Sequence, residues 1–397
     1  MKMLGPLLAS LLSFASPLHA QAWLDDVDDA LSLSNHDGSW RADLSFLADL
    51  DLFVPEAAPQ GTLGLINDDA FLQPRLSAFF DAQLGSHVSA HAQMRVDRGF
   101  DPGVRPGGDV RLDEYYVQWR VFDDARLDVR AGRFATAFGA WSARHLSWDN
   151  PFVSAPLAYD DMLPLTDAAA PGSLAAFAAR RNAADKTAAW VPILWGPSYA
   201  TGASASGRLG DFDYALELKN AALSSRPSRW DAIEQHEFNT PATVTGRVAW
   251  HPVPDWGLGA SFSHGPWMVV GDADQTTLGI DASYAHGHWQ VWSELMQSRF
   301  EVPGIGEVRT TSGFIESKYK LTPSLWLAAR WNQSWNSDIP GLASDVTFDL
   351  NAWRADLALG CRINRHTQLK LQYSVGDKRG ADPEGDHLLA AEMTVKF

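Results

Sequence analysis

From Trp40 onward apolar and polar residues alternate with a period of two. Trp40, Ala42, Leu44, Phe46, Ala48, Leu50 and Leu52 are interleaved with Arg41, Asp43, Ser45, Asp49 and Asp51. Successive strand side chains point to opposite faces, so this spacing predicts a long strand with one apolar side and one polar side. The pattern returns at 72–84, 88–97, 114–121, 126–131, 212–219 and 243–250. It continues at 258–262, 278–284, 289–295, 315–321, 325–332, 353–362, 369–375 and 389–397. A weaker run of small residues at Tyr199, Thr201, Ala203 and Ala205 adds one more, which makes sixteen strands. The connections alternate too. Short ones at 85–86, 122–125, 208–211, 252–255, 285–288, 322–323 and 364–366 fall between long ones at 54–70, 97–109, 221–239, 336–351 and 376–386. An up-and-down transmembrane barrel, with short periplasmic turns and long outer loops, has this rhythm and places both chain ends on the periplasmic side.

A soluble sandwich or propeller also alternates. A propeller would show a blade repeat, and none is visible. The polar positions carry Arg and Asp on nearly every strand, as a wet lumen would, and strands of roughly ten residues match a tilted membrane crossing. Trp40, Trp250, Trp256, Trp289, Trp331, Trp353 and Tyr373 sit toward strand ends, where interfacial girdles form. The N-terminus reads as a secretory leader: Lys2, a short apolar stretch over 4–18, and small residues that place cleavage after Ala20 or Ala22. The expected organisation is a leader at 1–22, a short periplasmic segment at 23–37 that includes the acidic run 25–29, and a barrel at 38–397. Among the 397 residues, 32 basic and 48 acidic ones give a net charge of −16, which argues against a nucleic-acid partner. The single cysteine, Cys361, excludes a disulfide framework and a Cys-rich metal site, and its register points it to the lipid.

The chain resembles Gram-negative outer-membrane porins. It ends in Phe397, with Val395 and Met393 at alternate positions before it, which is similar to the terminal signature of outer-membrane barrels. The stretch Gly132-Arg133-Phe134-Ala135-Thr136-Ala137-Phe138-Gly139 resembles the G-(R/Q)-F-x-T-P-F-G segment of the phosphate-selective porin O/P-like group, with Ala137 in the place of the proline. The resemblance implies a sixteen-stranded, trimeric barrel in outer-membrane lipid. It also implies passive diffusion of small hydrophilic solutes or ions, anions such as phosphate among them.

The longest connection, 135–194, is the third outer loop in this reading, and in porins of this kind that loop folds inward as a constriction. Trp141, Trp148, Phe152, Leu157, Tyr159, Phe177 and Trp190 would anchor it, and the Ala-rich stretch 168–181 predicts a short helix. A pore reads solutes by width, wall charge and wall hydrogen bonds. Arg75, Arg95 and Arg130, with Arg41, Arg120 and Arg126, would form a basic stripe on one wall. The loop acids Asp149, Asp160, Asp161 and Asp167 would face it across the gap. The competing expectation is that these arginines pair with Asp49, Asp81, Asp97, Glu114 and Asp128. No metal, cofactor or catalytic site is expected. Ser142 and His145 are close in sequence, but no G-x-S-x-G is present. His87 and His91 share a strand face about 13 Å apart, too far to chelate together. The alternatives to a porin are a barrel scaffold that holds a partner protein and an outer-membrane barrel hydrolase.

Overall fold

The computed structural model describes residues 30–55, 70–97, 109–182, 190–225, 242–269, 273–342, 346–378 and 386–397. The leader, the acidic run 25–29 and the loop residues Asp185 and Lys186 lie outside the described residues. Sixteen strands form the wall: β1 (Trp40–Pro55), β2 (Phe71–Leu84), β3 (Val88–Asp97), β4 (Asp109–Arg120), β5 (Asp128–Phe134), β6 (Ala200–Leu209), β7 (Phe212–Lys219) and β8 (Thr243–Trp250) in the first half. The second half holds β9 (Trp256–Pro266), β10 (Asp274–His286), β11 (Trp289–Val302), β12 (Gly306–Lys320), β13 (Leu325–Asn336), β14 (Ala352–Arg362), β15 (Thr367–Lys378) and β16 (Asp386–Lys396). Every strand pairs antiparallel with its sequence neighbours, and β16 returns to β1 with Leu388 opposite Pro55 and Lys396 opposite Leu47. The barrel is closed, so every strand has a ladder neighbour on each side, as lipid requires.

The two faces have the opposite polarity to a soluble barrel. Outward Ile280 is 60% exposed and Leu357 61%, while inward Asn332 and Gln372 are 0% exposed. Aromatic pairs mark the girdles. Trp256–Tyr284 (4.8 Å between ring centroids) and Trp289–Tyr319 (4.7 Å) stand at the short-turn end, and Trp331–Trp353 (5.2 Å) stands toward the other.

Several strands outrun the alternation that announces them. β11 and β12 continue through outward Gln297, Arg299 and Glu301 and outward Glu307, Arg309 and Thr311. The ladder there rises past the apolar band, so its outer face meets water and loses its hydrophobic signal. The connection between these two strands is only 303–305, a tight turn at the end where long loops prevail, with Gly304 at φ 77°. One irregularity matters for charge. Gln93 pairs with Glu114 and Met94 with Leu112, which leaves Asp113 as an extra bulged residue, fully buried beside Arg111.

The exposed face sets a prediction. Leu357→Arg, at mid-strand on the outer wall, should cost about 2–4 kcal/mol in urea unfolding from lipid vesicles. A cost below about 1 kcal/mol would mean that this face is not in lipid.

Candidate functional site: the loop-lined lumen

The chain leaves β5 at Phe134 and rejoins the wall at Ala200. Between these points it runs inside the barrel. It contains a turn of 3-10 helix (Ser142–Arg144), α1 (Leu157–Asp160), the paired two-residue strands Met162–Leu163 and Val191–Pro192, and α2 (Leu174–Ala179). The Ser173 hydroxyl caps α2 by accepting the Ala176 N–H at 3.1 Å.

An irregular segment pressed against a sheet cannot join its ladder, and its backbone groups must find other partners. The inward side chains supply them. The Ser261 hydroxyl accepts from Gly139 N (3.1 Å). Glu294 accepts from Ala140 N (2.6 Å), from Trp141 N and from the Tyr159 hydroxyl. Asn332 Oδ1 accepts from Leu157 N (3.0 Å), and Gln372 Oε1 from Val153 N (2.7 Å) and Ser154 N (3.0 Å). The loop's carbonyls are met by cations. Lys370 Nζ donates to Ser147 O (2.6 Å), Asn150 O (2.9 Å) and Phe152 O (3.1 Å), and Arg330 donates to Ser154 O and Ala155 O (both 3.1 Å). These contacts carry the loop around the wall from β9 to β15.

Apolar packing completes the attachment in the outer half. Phe138, Trp141, Tyr159, Leu163 and Trp190 from the loop join Met296, Phe300, Val308 and Phe314 from β11 and β12 in one buried cluster. Phe138 lies over Gly279, where a Cβ would stand 2.8 Å from the ring, so the residue opposite must lack one.

The sequence-derived arginines do not form an open stripe. Arg75 pairs with Asp51 and, at 3.5 Å, with Asp49. Arg95 is buried with Asp97 (2.9 Å) and Asp113 (3.8 Å). Arg120 pairs with Asp128 (3.1 Å) and Arg41 with Asp43 (2.7 Å) near the short-turn mouth. Arg126 lies in a turn, 3.4 Å from Asp124 and over the Phe122 ring. Arg130 stays on the lumen wall, held by Gln118 Oε1 (3.1 Å) and stacked on Tyr116. Pairing with neighbouring acids wins because leaving an inward, partly desolvated charge unpaired costs more than ordering its side chain against a carboxylate beside it. His91 shares this wall and bonds Asp81 at 2.7 Å.

The loop acids also depart from expectation. Asp160 and Asp161 turn to the wall, not to the gap: Asp160 pairs with Arg354 (3.2 Å) and Asp161 with Lys378 (2.9 Å), and both are buried. The reason is electrostatic, since Arg354 and Lys378 stand on the wall behind α1. Asp149 is exposed, and the Asp167 carbonyl accepts the Val269 N–H at 2.9 Å. The residues that hold the loop, Glu294, Arg330, Lys370, Gln372 and Lys378, were not singled out from the sequence. The inward register of Glu294, Arg330, Lys370 and Gln372 was readable, whereas Lys378 falls in the stretch 376–386 read as a connection, and the loop partners lie between 135 and 223 positions away.

Asp161 and Asp349 share the Lys378 ammonium (2.9 and 2.8 Å). Burial, aided by the Asp349 charge and opposed by Lys378, pushes Asp161 up to about 7.

No protein-family profile matches the chain, and no curated protein does. Solved structures do. An OmpF of Salmonella typhi in complex with daunomycin shares 12% identity over 92% of this chain and 100% of its own, with a TM-score of 0.58. An anion-selective porin from Comamonas acidovorans shares 14% identity over 90% and 100%, with a TM-score of 0.56. The outer-membrane channel DcaP of Acinetobacter baumannii shares 10% identity over 92% and 99%, with a TM-score of 0.57. At these identities the likeness is one of fold: the chain is a sixteen-stranded barrel whose structural neighbours are Gram-negative outer-membrane porins and channels.

Two outcomes follow. Glu294→Ala leaves two buried donors, Trp141 N and the Tyr159 hydroxyl, and the half-buried Ala140 N without an acceptor, each buried one worth about 1–3 kcal/mol. The variant should lose about 3 kcal/mol in urea unfolding and become open to tryptic cleavage after Arg144. Asp161 binds its proton more tightly folded than unfolded, so its contribution is full below about pH 4 and fades as pH rises through about 7. Asp161→Asn should therefore flatten stability against pH between about 4 and 7, read from unfolding midpoints. An unchanged profile would show that this carboxyl does not titrate there.

Proposed function

We propose that the chain is an outer-membrane porin through which small hydrophilic solutes and ions diffuse passively. One observation carries the reading: the long loop lies inside the barrel, bonded to the inner wall from β9 to β15. Such a loop narrows a lumen and leaves the wall of β2 to β5 to line the remaining space. It also occupies the room that a threaded partner would need, which favours a channel over a scaffold. The hydrolase alternative has no support at Ser142 and His145. The His145 Nδ1 donates to the Ser142 carbonyl (2.7 Å), and its Nε2 accepts from the Tyr199 hydroxyl (2.9 Å), so neither nitrogen serves the serine Oγ.

Export through a cleaved leader and residence in the outer membrane belong to this proposal, as does the homotrimer. Outward Ala78, Ala82, Ala90 and Ala92 lie among exposed Leu76, Phe80 and Met94 on β2 and β3, an apolar face that a second copy could cover. Anions, phosphate included, are within the solute range. Because most lumen arginines carry a carboxylate partner, selectivity between monovalent ions is weak.

Refolded protein in a planar bilayer should show stepwise openings, with a reversal potential of only about 10–20 mV under a tenfold salt gradient. Folded barrel that gives no openings would overturn the porin reading.

A further inference from the structure

A groove crosses the outer wall from β10 to β13, on the face that the barrel turns to lipid. It encloses about 600 Å³, within the range of about 300–1,000 Å³ common for small-ligand sites. Ile280, Leu295, Ile315 and Trp335 form its sides, and Ser293 and Gly313 its floor. A Cβ at Gly313 would stand 2.7 Å from the Glu294 carbonyl oxygen, so this rung carries no side chain and the floor stays low. Strands β11 and β12 stand across the barrel from β2 and β3, so a second copy on that face would leave the groove in lipid.

Above the groove, toward the long-loop end, the outward charges are sorted by sign. Leu295 pairs with Gly313, Gln297 with Thr311, Arg299 with Arg309 and Glu301 with Glu307. All four charged residues share the outward register and are exposed. From Trp289, in the short-turn girdle, to Arg299 is ten residues of β11, or about 33 Å along a strand. At a tilt of about 40° this rises about 25 Å, the height of the apolar band. The two arginines therefore stand where hydrocarbon gives way to headgroups, and the two glutamates stand one rung further out. Like charges directly opposite each other weaken strand pairing. Exchanging one arginine with one glutamate would turn both rungs into ion pairs, yet the chain keeps a cationic rung and an anionic rung. Arg309 reaches Glu307 along its own strand, and Glu301 accepts the Asp274 N–H at 3.4 Å. Arg299 has no ion-pair partner among the described residues.

We infer that the groove and the two rungs above it form a binding site for a zwitterionic phospholipid of the phosphatidylethanolamine type. One acyl chain lies over Ser293 and Gly313, beside Trp335. The phosphate, next to the glycerol, meets Arg299 and Arg309, whose planar forks suit its oxygens. The ammonium, outermost in the headgroup, donates hydrogen bonds to Glu301 and Glu307 and relieves their repulsion. A phosphatidylglycerol head would set hydroxyls there and leave that repulsion in place, and a choline head brings a cation with no N–H to donate. The site lies outside the lumen and does not rest on solute passage.

The test is native mass spectrometry of the refolded full chain, released from detergent that holds dioleoyl phosphatidylethanolamine, phosphatidylglycerol or phosphatidylcholine. Two variants are compared with the native chain, all checked for heat-modifiable migration of a folded barrel. Arg299→Glu with Glu301→Arg keeps the net charge and sets opposite charges across both rungs. Ser293→Leu fills the groove floor. The native chain should retain phosphatidylethanolamine at about tenfold lower lipid concentration than either other lipid. The charge exchange should bring the three lipids within about twofold of one another. Ser293→Leu should weaken phosphatidylethanolamine retention at least about threefold, the loss of one or two buried methylenes, and keep the order of headgroups. Equal retention of the three lipids by the native chain, a preference for either of the other two, a headgroup order that survives the charge exchange, or unchanged retention by Ser293→Leu overturns the site.

Discussion

The polar inner wall and the inserted loop satisfy each other, and most of the structure's specific features depend on that exchange. A wall of alternating residues in lipid must turn its polar side chains inward. Where those side chains are covered, they need hydrogen-bond partners, because an unpartnered buried group costs about 1–3 kcal/mol. The loop has the complementary problem: its backbone runs irregularly across a sheet that offers no ladder positions. Glu294, Asn332 and Gln372 accept its amides, and Arg330 and Lys370 take its carbonyls. Neither partner is satisfied alone, so the loop's position is set by the wall's register.

The same exchange partitions the lumen charges. On the wall behind the loop, cations and acids are consumed in buried networks such as Arg330–Asp356–Arg354–Asp160. On β2 and β3, Arg75 and Arg95 meet acids of their own or adjacent strands. At the short-turn mouth the loop brings Trp148 against Arg362, and Lys318 feels Arg362, Lys320 and Lys370 together with Asp149. The arginine count of the inner wall thus overstates its positive charge.

The wall was legible in the sequence because period-two alternation is a local signal that lipid enforces on every strand. All sixteen strands fall where that alternation places them, including the weak run at Ala200–Leu209. Strand length was less legible, because β11 and β12 continue into water, where their outward residues Arg299 and Arg309 carry no apolar mark. The loop's helical turn at Leu174–Ala179 was readable from its alanines. Its attachment was not. Asp160 and Asp161 look like any exposed loop acids until the fold sets Arg354 and Lys378 behind them. Charge pairing across nearly two hundred residues leaves no pattern in a single chain, whereas Arg75, Arg95, Arg120 and Arg41 pair with acids of their own or the next strand, as the competing expectation had it.

Amide hydrogen exchange in the lipid-embedded barrel tests the mutual satisfaction of loop and wall most directly. The N–H groups of Ala140, Trp141, Val153, Ser154 and Leu157 are bonded to side chains of Glu294, Gln372 and Asn332 rather than to a ladder. If the wall holds the loop, these amides exchange as slowly as those of the strands beside them. Exchange at the rate of free surface loops would contradict the account, for it would mean that the inner wall does not fix the loop at all.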